Sequence, residues 1–243
     1  MQINPYLPEY FPGINEILKT GIPERTQIIY TSVVKKVNNT LVVGSSTLLS
    51  LLAELQELFK NGEPPSTSLV EGMILLTAFT ATKLGSYDLA NELLNAAEKV
   101  RFSQRDRLDN LRSFFLISRN KKRLILFGST KLEPDIVKAK KLLQDLNVRT
   151  KFYSALVNLA TIEFYSGDAE SARGLLTRAI DLFPQVGIAY FDLGLLEHSL
   201  GHKLEAARYI TNAAEAEFPY KFASFLKFSM EEDPIGLQLA TAA

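Results

Sequence analysis

Apolar residues recur three and four positions apart through most of this chain, the spacing of one face of an amphipathic helix. Between Tyr153 and Val186 they fall at Leu156, Leu159, Ala160, Leu176 and Ala179. The same layout returns 34 residues later at Tyr190, Leu193, Gly194, Ile210 and Ala213. Gly167 and Gly201 interrupt the two patterns at equivalent places, where a helix must stop and glycine supplies a left-handed turn at little steric cost. Asp168 follows as a side-chain cap for the next helix. Ala172 and Ala206 are small enough to let two antiparallel helices approach closely. Each stretch therefore predicts a helix, a tight turn and a second helix. Pro184 and Pro219 close the two units.

A weaker copy with the same internal spacing reads Ile74, Ala78, Gly85, Ala90, Leu94 and Ala97. The interval between it and the clear copies is not a whole number of periods. Residues 105–152 are thus expected to form a distorted repeat, with helices near Asp106–Asn120 and Pro134–Asn147 joined through 121–133. Two further helices are predicted over 23–37 and 46–59, and a terminal one over 220–233. The last residues, 234–243, are expected to fray.

A helix pair of this kind cannot bury its apolar face alone and must stack on its neighbours. The succession "LVNLA…SGD…A…L…A…P" and "YFDLG…LGH…A…I…A" resembles the tetratricopeptide repeat family. The resemblance spans 153–219 most clearly and 71–104 more loosely. Both clear repeats carry a carboxylate, Glu163 and Glu197, where the family usually has Tyr. It implies an all-α fold, an α-solenoid of stacked antiparallel helix pairs with N-terminal helices and a C-terminal capping helix. Residues 1–62 would form an N-terminal arm and two helices. Residues 63–243 would hold the repeats 71–104, 105–152, 153–186 and 187–220 and the cap.

Composition changes this picture little: apolar content of 47% and charged content of 22% are ordinary for a folded domain. With no Cys there is neither a disulfide framework nor a thiolate metal site. No apolar run reaches the ~20 residues needed to cross a bilayer, and the opening residues lack the pattern of a secretion signal. A cytoplasmic location is the expectation. The zero net charge conceals an asymmetry: residues 101–151 carry 14 Lys and Arg against 5 Asp and Glu, whereas both flanks are acidic. Such a field bears on partners rather than on fold.

Candidate chemistry is sparse. His198 and His202 are four apart, but the turn at Gly201 separates them, and no third metal ligand accompanies them. Glu163 and Glu197 are expected on equivalent faces about one helix packing distance apart, each matched by an arginine such as Arg173, Arg178 or Arg208. No phosphate-cradling, dinucleotide or nucleophile-elbow motif is present. Asn38-Asn39-Thr40 fits a glycosylation acceptor, which matters only in a secreted chain. The chain is expected to be no enzyme, with no catalytic or metal residue and no cofactor.

The resemblance implies that the first helix of each pair lines a concave groove. In this sequence that face would carry Val157, Thr161, Phe164 and Tyr165, then Phe191, Leu195 and His198, with Leu75 and Phe79 from the weaker copy. Such an apolar, aromatic groove suits a helix or an extended segment of a protein partner, as in an adaptor or chaperone. Alternatively the arm with Tyr6, Leu7, Tyr10 and Phe11 among its prolines fills the groove from within. The basic stretch offers Arg119, Lys121, Lys122, Arg123, Lys138 and Lys141. It would meet an acidic surface, including that of a second copy, in preference to remaining a merely solvated face, with nucleic acid the least favoured partner.

Overall fold

A computed structural model describes residues 3–19, 23–38, 44–60, 67–99, 102–126 and 133–232. Among them the chain is all-α, with one isolated bridge between Val186 and Phe218 as its only extended pairing. It divides into two compact units, 1–127 with 131–152, and 128–130 with 153–243. The boundary expected at 62/63 falls inside the first.

The first unit opens with a 3-10 turn, Leu7–Glu9, and continues through α1 (Ile14–Leu18), α2 (Glu24–Asn38), α3 (Ser45–Lys60), α4 (Thr67–Lys83), α5 (Tyr87–Lys99), α6 (Arg105–Leu126) and α7 (Pro134–Arg149). The second comprises α8 (Tyr153–Tyr165), α9 (Ala169–Leu182), α10 (Gly187–Ser199), α11 (Lys203–Glu215) and α12 (Lys221–Glu232). Successive helices pack as pairs: α4 with α5, α6 with α7, α8 with α9, α10 with α11. The predicted helices are present, but α6 runs on through the Lys-Lys-Arg segment to Leu126. The connection therefore begins later than expected, since 121–126 lack any glycine or proline to stop a helix.

The repeat signal has a common geometric cause. Gly85, Gly167 and Gly201 hold φ of 74°, 85° and 86°. In each case the residue after the glycine donates its N–H back five residues, Ser86 to Ala81, Asp168 to Glu163 and His202 to Glu197, all at 2.9 Å. This closure satisfies carbonyls that a helix end would otherwise leave unpaired. The Asp168 carboxylate then accepts the N–H of Ser171 at 3.0 Å, as its position predicted.

In the first unit, α4 is apolar all round because it is covered by α2, α3, α5 and α6. Its buried hydroxyls Thr77, Thr80 and Thr82 donate to carbonyls one turn back, so no polar group is stranded. Buried Arg112 of α6 fastens α5 by donating to Asn91, Asn95 and Glu98. Arg149 of α7 reaches Asp106 and Asp109 of α6.

In the second unit the Tyr153 hydroxyl accepts the N–H of Ala189 at 2.9 Å, which serves the otherwise unpaired start of α10. The loops before α10 and α12 are tied by Gly187 N–H to the Phe218 carbonyl and Phe218 N–H to that of Gln185, each at 2.9 Å.

Candidate functional site

Each unit has an inner helix face of the kind that could receive a peptide, and the two differ. In the first unit the face made by α4 and α6 is covered by residues 4–12. Tyr10 lies with its ring 5.0 Å from Phe79 of α4 and 5.4 Å from Phe114 of α6. Phe11 meets Phe79 edge-on at 5.3 Å, and Phe79 stacks on Phe114 at 5.4 Å. Leu7, Tyr10 and Phe11 are all buried. Leu75 and Phe79, expected as groove residues, are 0% and 2% exposed and belong to the core beneath this segment. Of the two readings of this groove, filling from within is the one that holds in the first unit. Tyr6 is half-buried, with its ring edge-on to Tyr10 at 6.5 Å. The segment is not fully extended, because Leu7–Glu9 makes one 3-10 turn.

In the second unit the face of α8 and α10 holds a small cleft of about 60 Å³ that opens to solvent. Thr161, Phe164 and Tyr165 of α8 and Leu195 of α10, four of the expected residues, line it together with Leu176 of α9 and Asp192 of α10. Phe164 and Tyr165 stand with ring centroids 5.2 Å apart. Thr161 turns its hydroxyl to the Val157 carbonyl at 3.0 Å, so the methyl is left as its apolar surface. Burial, and secondarily the Asp192 carboxylate, push the Tyr165 hydroxyl above its ordinary pKa, so it stays a neutral donor.

The remaining expected groove residues lie elsewhere. Val157 and Phe191 are each 6% exposed. Phe191 stands one turn before Leu195 on the same side of α10, where its ring meets Tyr220 at 4.7 Å and Phe222 at 5.8 Å and joins Ile210, Ala213, Ala223 and Leu226, with Leu195 packed against the same cluster. It is the seat of α12. His198 is half-buried and outside the cleft lining. Asp192 was missed by sequence reasoning. Its signal was present, as the only acid in the otherwise apolar first two turns of α10.

Glu197 fulfils the expectation of a matched carboxylate. It accepts from Arg173 of α9 at 2.7 and 3.1 Å and faces the His202 ring at 2.6 Å. The Arg173 hydrogen bonds, helped by His202 and opposed by burial, hold its carboxyl below the usual range. The same contact raises Arg173 further above its already high value. This cluster joins α9, α10 and the turn after α10, a structural task. Glu163 is likewise buried. Among the described residues no group of three or more His, Asp or Glu could hold a metal ion.

The basic stretch is divided. Arg119 pairs with Asp135 of α7 and lies over the Phe115 ring at 5.2 Å. Burial favours the protonated Asp135, but hydrogen bonds from Arg119 and Asn120 outweigh it and hold the carboxyl low. Lys138 and Lys141 are exposed on one face of α7. The side chains of Lys121, Lys122 and Arg123 lie outside the described residues, as do Phe127, Lys131, residues 234–243 and Asn39 and Thr40 of the acceptor motif. No helix among the described residues is long and apolar enough to cross a membrane. No family model, curated protein or solved structure matches the chain.

Proposed function

We propose that the chain is a tetratricopeptide-repeat-like interaction module, not an enzyme, that works in the cytoplasm and holds a segment of a partner protein in the α8/α10 cleft. The observation that carries this reading is the cleft itself, an open pocket of Phe164, Tyr165, Leu176 and Leu195 beside one carboxylate. Apolar walls with a few placed polar groups suit a peptide anchor, the walls giving affinity and the polar groups orientation. The acid at Asp192 favours an anchor with Lys or Arg beside it. The first unit lends support by example, since there an aromatic and proline-rich segment occupies an equivalent face.

Panning a displayed peptide library on the purified chain tests this. Apolar or aromatic peptides with an adjacent basic residue are expected, and Leu195→Glu should lose them while keeping its helical content. No enrichment, or the same enrichment on Leu195→Glu, contradicts the reading. A second reading, self-association through complementary charge, draws on the exposed Lys138 and Lys141 and the acidic C-terminal third. It predicts an oligomer that dissociates with salt. Nucleic acid is less favoured because Phe114 and Phe115 are engaged with Phe79 and Tyr87 rather than offered for stacking beside the basic residues.

A further inference from the structure

The way residues 4–12 are held differs from the way a core segment is held. Three of its backbone carbonyls are met by side chains of other helices, while those of Asn4, Tyr6 and Leu7 accept from its own N–H groups. Arg107 Nε donates to the Pro8 carbonyl at 2.7 Å, and Asn110 Nδ2 to that of Glu9 at 3.0 Å. The Tyr30 hydroxyl donates to the Pro12 carbonyl at 2.6 Å. All three donors come from two other helices, α6 and α2. Arg107 is itself positioned by Gln104, just before α6, at 2.7 Å and by Glu16 of α1 at 2.8 and 2.9 Å. Gly72 of α4 keeps a place for the segment's end, since a Cβ there would lie 3.2 Å from Pro12 Cγ and 2.9 Å from Ile17 Cδ1.

Donors aimed at main-chain carbonyls read the presence of a peptide, and pockets for its side chains read its sequence. Here the readers are Phe79 and Phe114, against which Tyr10 and Phe11 pack. The segment has little structure of its own beyond the single 3-10 turn. Its three prolines, Pro5, Pro8 and Pro12, lower the entropy lost on ordering it. These are properties of a bound ligand that happens to be covalently attached.

We propose that the α4/α6 face bearing Arg107, Asn110, Phe79 and Phe114 is a peptide-binding site that residues 4–12 occupy in cis. Its exchangeable occupant is a partner segment of the same chemistry, with Leu-Pro ahead of two adjacent aromatic residues and a following Pro. Attachment makes the chain's own segment a strong competitor, so the site opens only to a partner present at high local concentration or after the segment is loosened. This site is separate from the α8/α10 cleft, and its test does not depend on what the cleft binds.

The probe is a fluorescent peptide of residues 3–13, titrated against the full chain by polarisation. Wild type should bind it weakly, because the site is occupied. Tyr10→Ala with Phe11→Ala in the chain should bind it roughly tenfold tighter or more. Adding Arg107→Ala to that variant should reverse the gain by about tenfold. No binding to the loosened chain, with helical content kept, overturns the proposal. If the loosened chain loses helix, a protease site inserted after Gly13 replaces it. Once cut, the segment should exchange with the labelled peptide. A cut segment that never exchanges, or a chain that unfolds on cutting, marks residues 4–12 as core and overturns the proposal. A mass showing that full chains trade segments with each other overturns the partner assignment in favour of a second copy.

Discussion

The α4/α6 face and the α8/α10 face both rest on an inner helix followed by a left-handed glycine and a returning helix, at α4 in the first and at α8 and α10 in the second, yet one is filled and the other is open. The difference lies in what covers each. Over Phe79 sit Tyr10 and Phe11, with carbonyls fixed by Arg107, Asn110 and Tyr30. Over Phe164, Tyr165 and Leu195 there is solvent and one carboxylate. A helical repeat therefore leaves its inner surface to be completed by whatever reaches it. Where the chain supplies the cover, that surface becomes core; where it does not, a half-buried aromatic pocket stays open.

The contrast predicts unequal mutational costs. Phe11→Ala removes a ring that is 1% exposed and should destabilise the first unit by about 3–5 kcal/mol, read from urea melts. A cost near zero would mean that the segment does not cover α4. Glu197→Gln weakens the charge-assisted bonds from Arg173 and should cost about 2 kcal/mol in the second unit at neutral pH. Because the folded-state carboxyl lies below its unfolded value, its contribution is complete above the ordinary carboxylate range. It is lost as pH falls through the depressed folded value, so the penalty of Glu197→Gln should vanish in acid. A penalty that persists there would assign the effect to packing instead. Gly167→Ala places a Cβ at φ 85° and should cost about 1 kcal/mol. Phe164→Ala, at a half-buried ring on an open cleft, should cost less than about 1 kcal/mol while abolishing peptide capture there. That last pair of results, set beside Phe11→Ala, separates a pocket from a core.

Much of this was readable in the chain. Gly85, Gly167 and Gly201 marked the three turns because only a residue without a Cβ enters that conformation cheaply, and Asp168 announced its cap. Residues Tyr10 and Phe11 were identifiable as one possible cover. Glu197 was expected to find an arginine, since a buried carboxylate without one is costly. What the sequence did not reveal was which apolar residue of an inner helix faces outward. In α8 and α10 the apolar positions surround the helix, so periodicity distinguishes no groove side from the side packed on the next helix. Val157 and Phe191 stand one turn from the cleft residues Thr161 and Leu195, but they are almost fully buried and do not line the cleft. Asp192 escaped notice because an acid next to Phe191 looks solvated until α8 brings Tyr165 against it. The reach of α6 to Leu126 was hidden by basic residues that read as a loop but form helix readily.

The chain has no cysteine, so single thiols can report on each face without background. The most direct test of a filled face beside an open one is the rate of labelling of Leu75→Cys and Leu195→Cys by a small thiol reagent in the folded full chain. Position 195 should react at close to the rate of a denatured control, and position 75 should react only on unfolding. Similar rates at the two positions would contradict the account, whether because both faces are open or because both are covered.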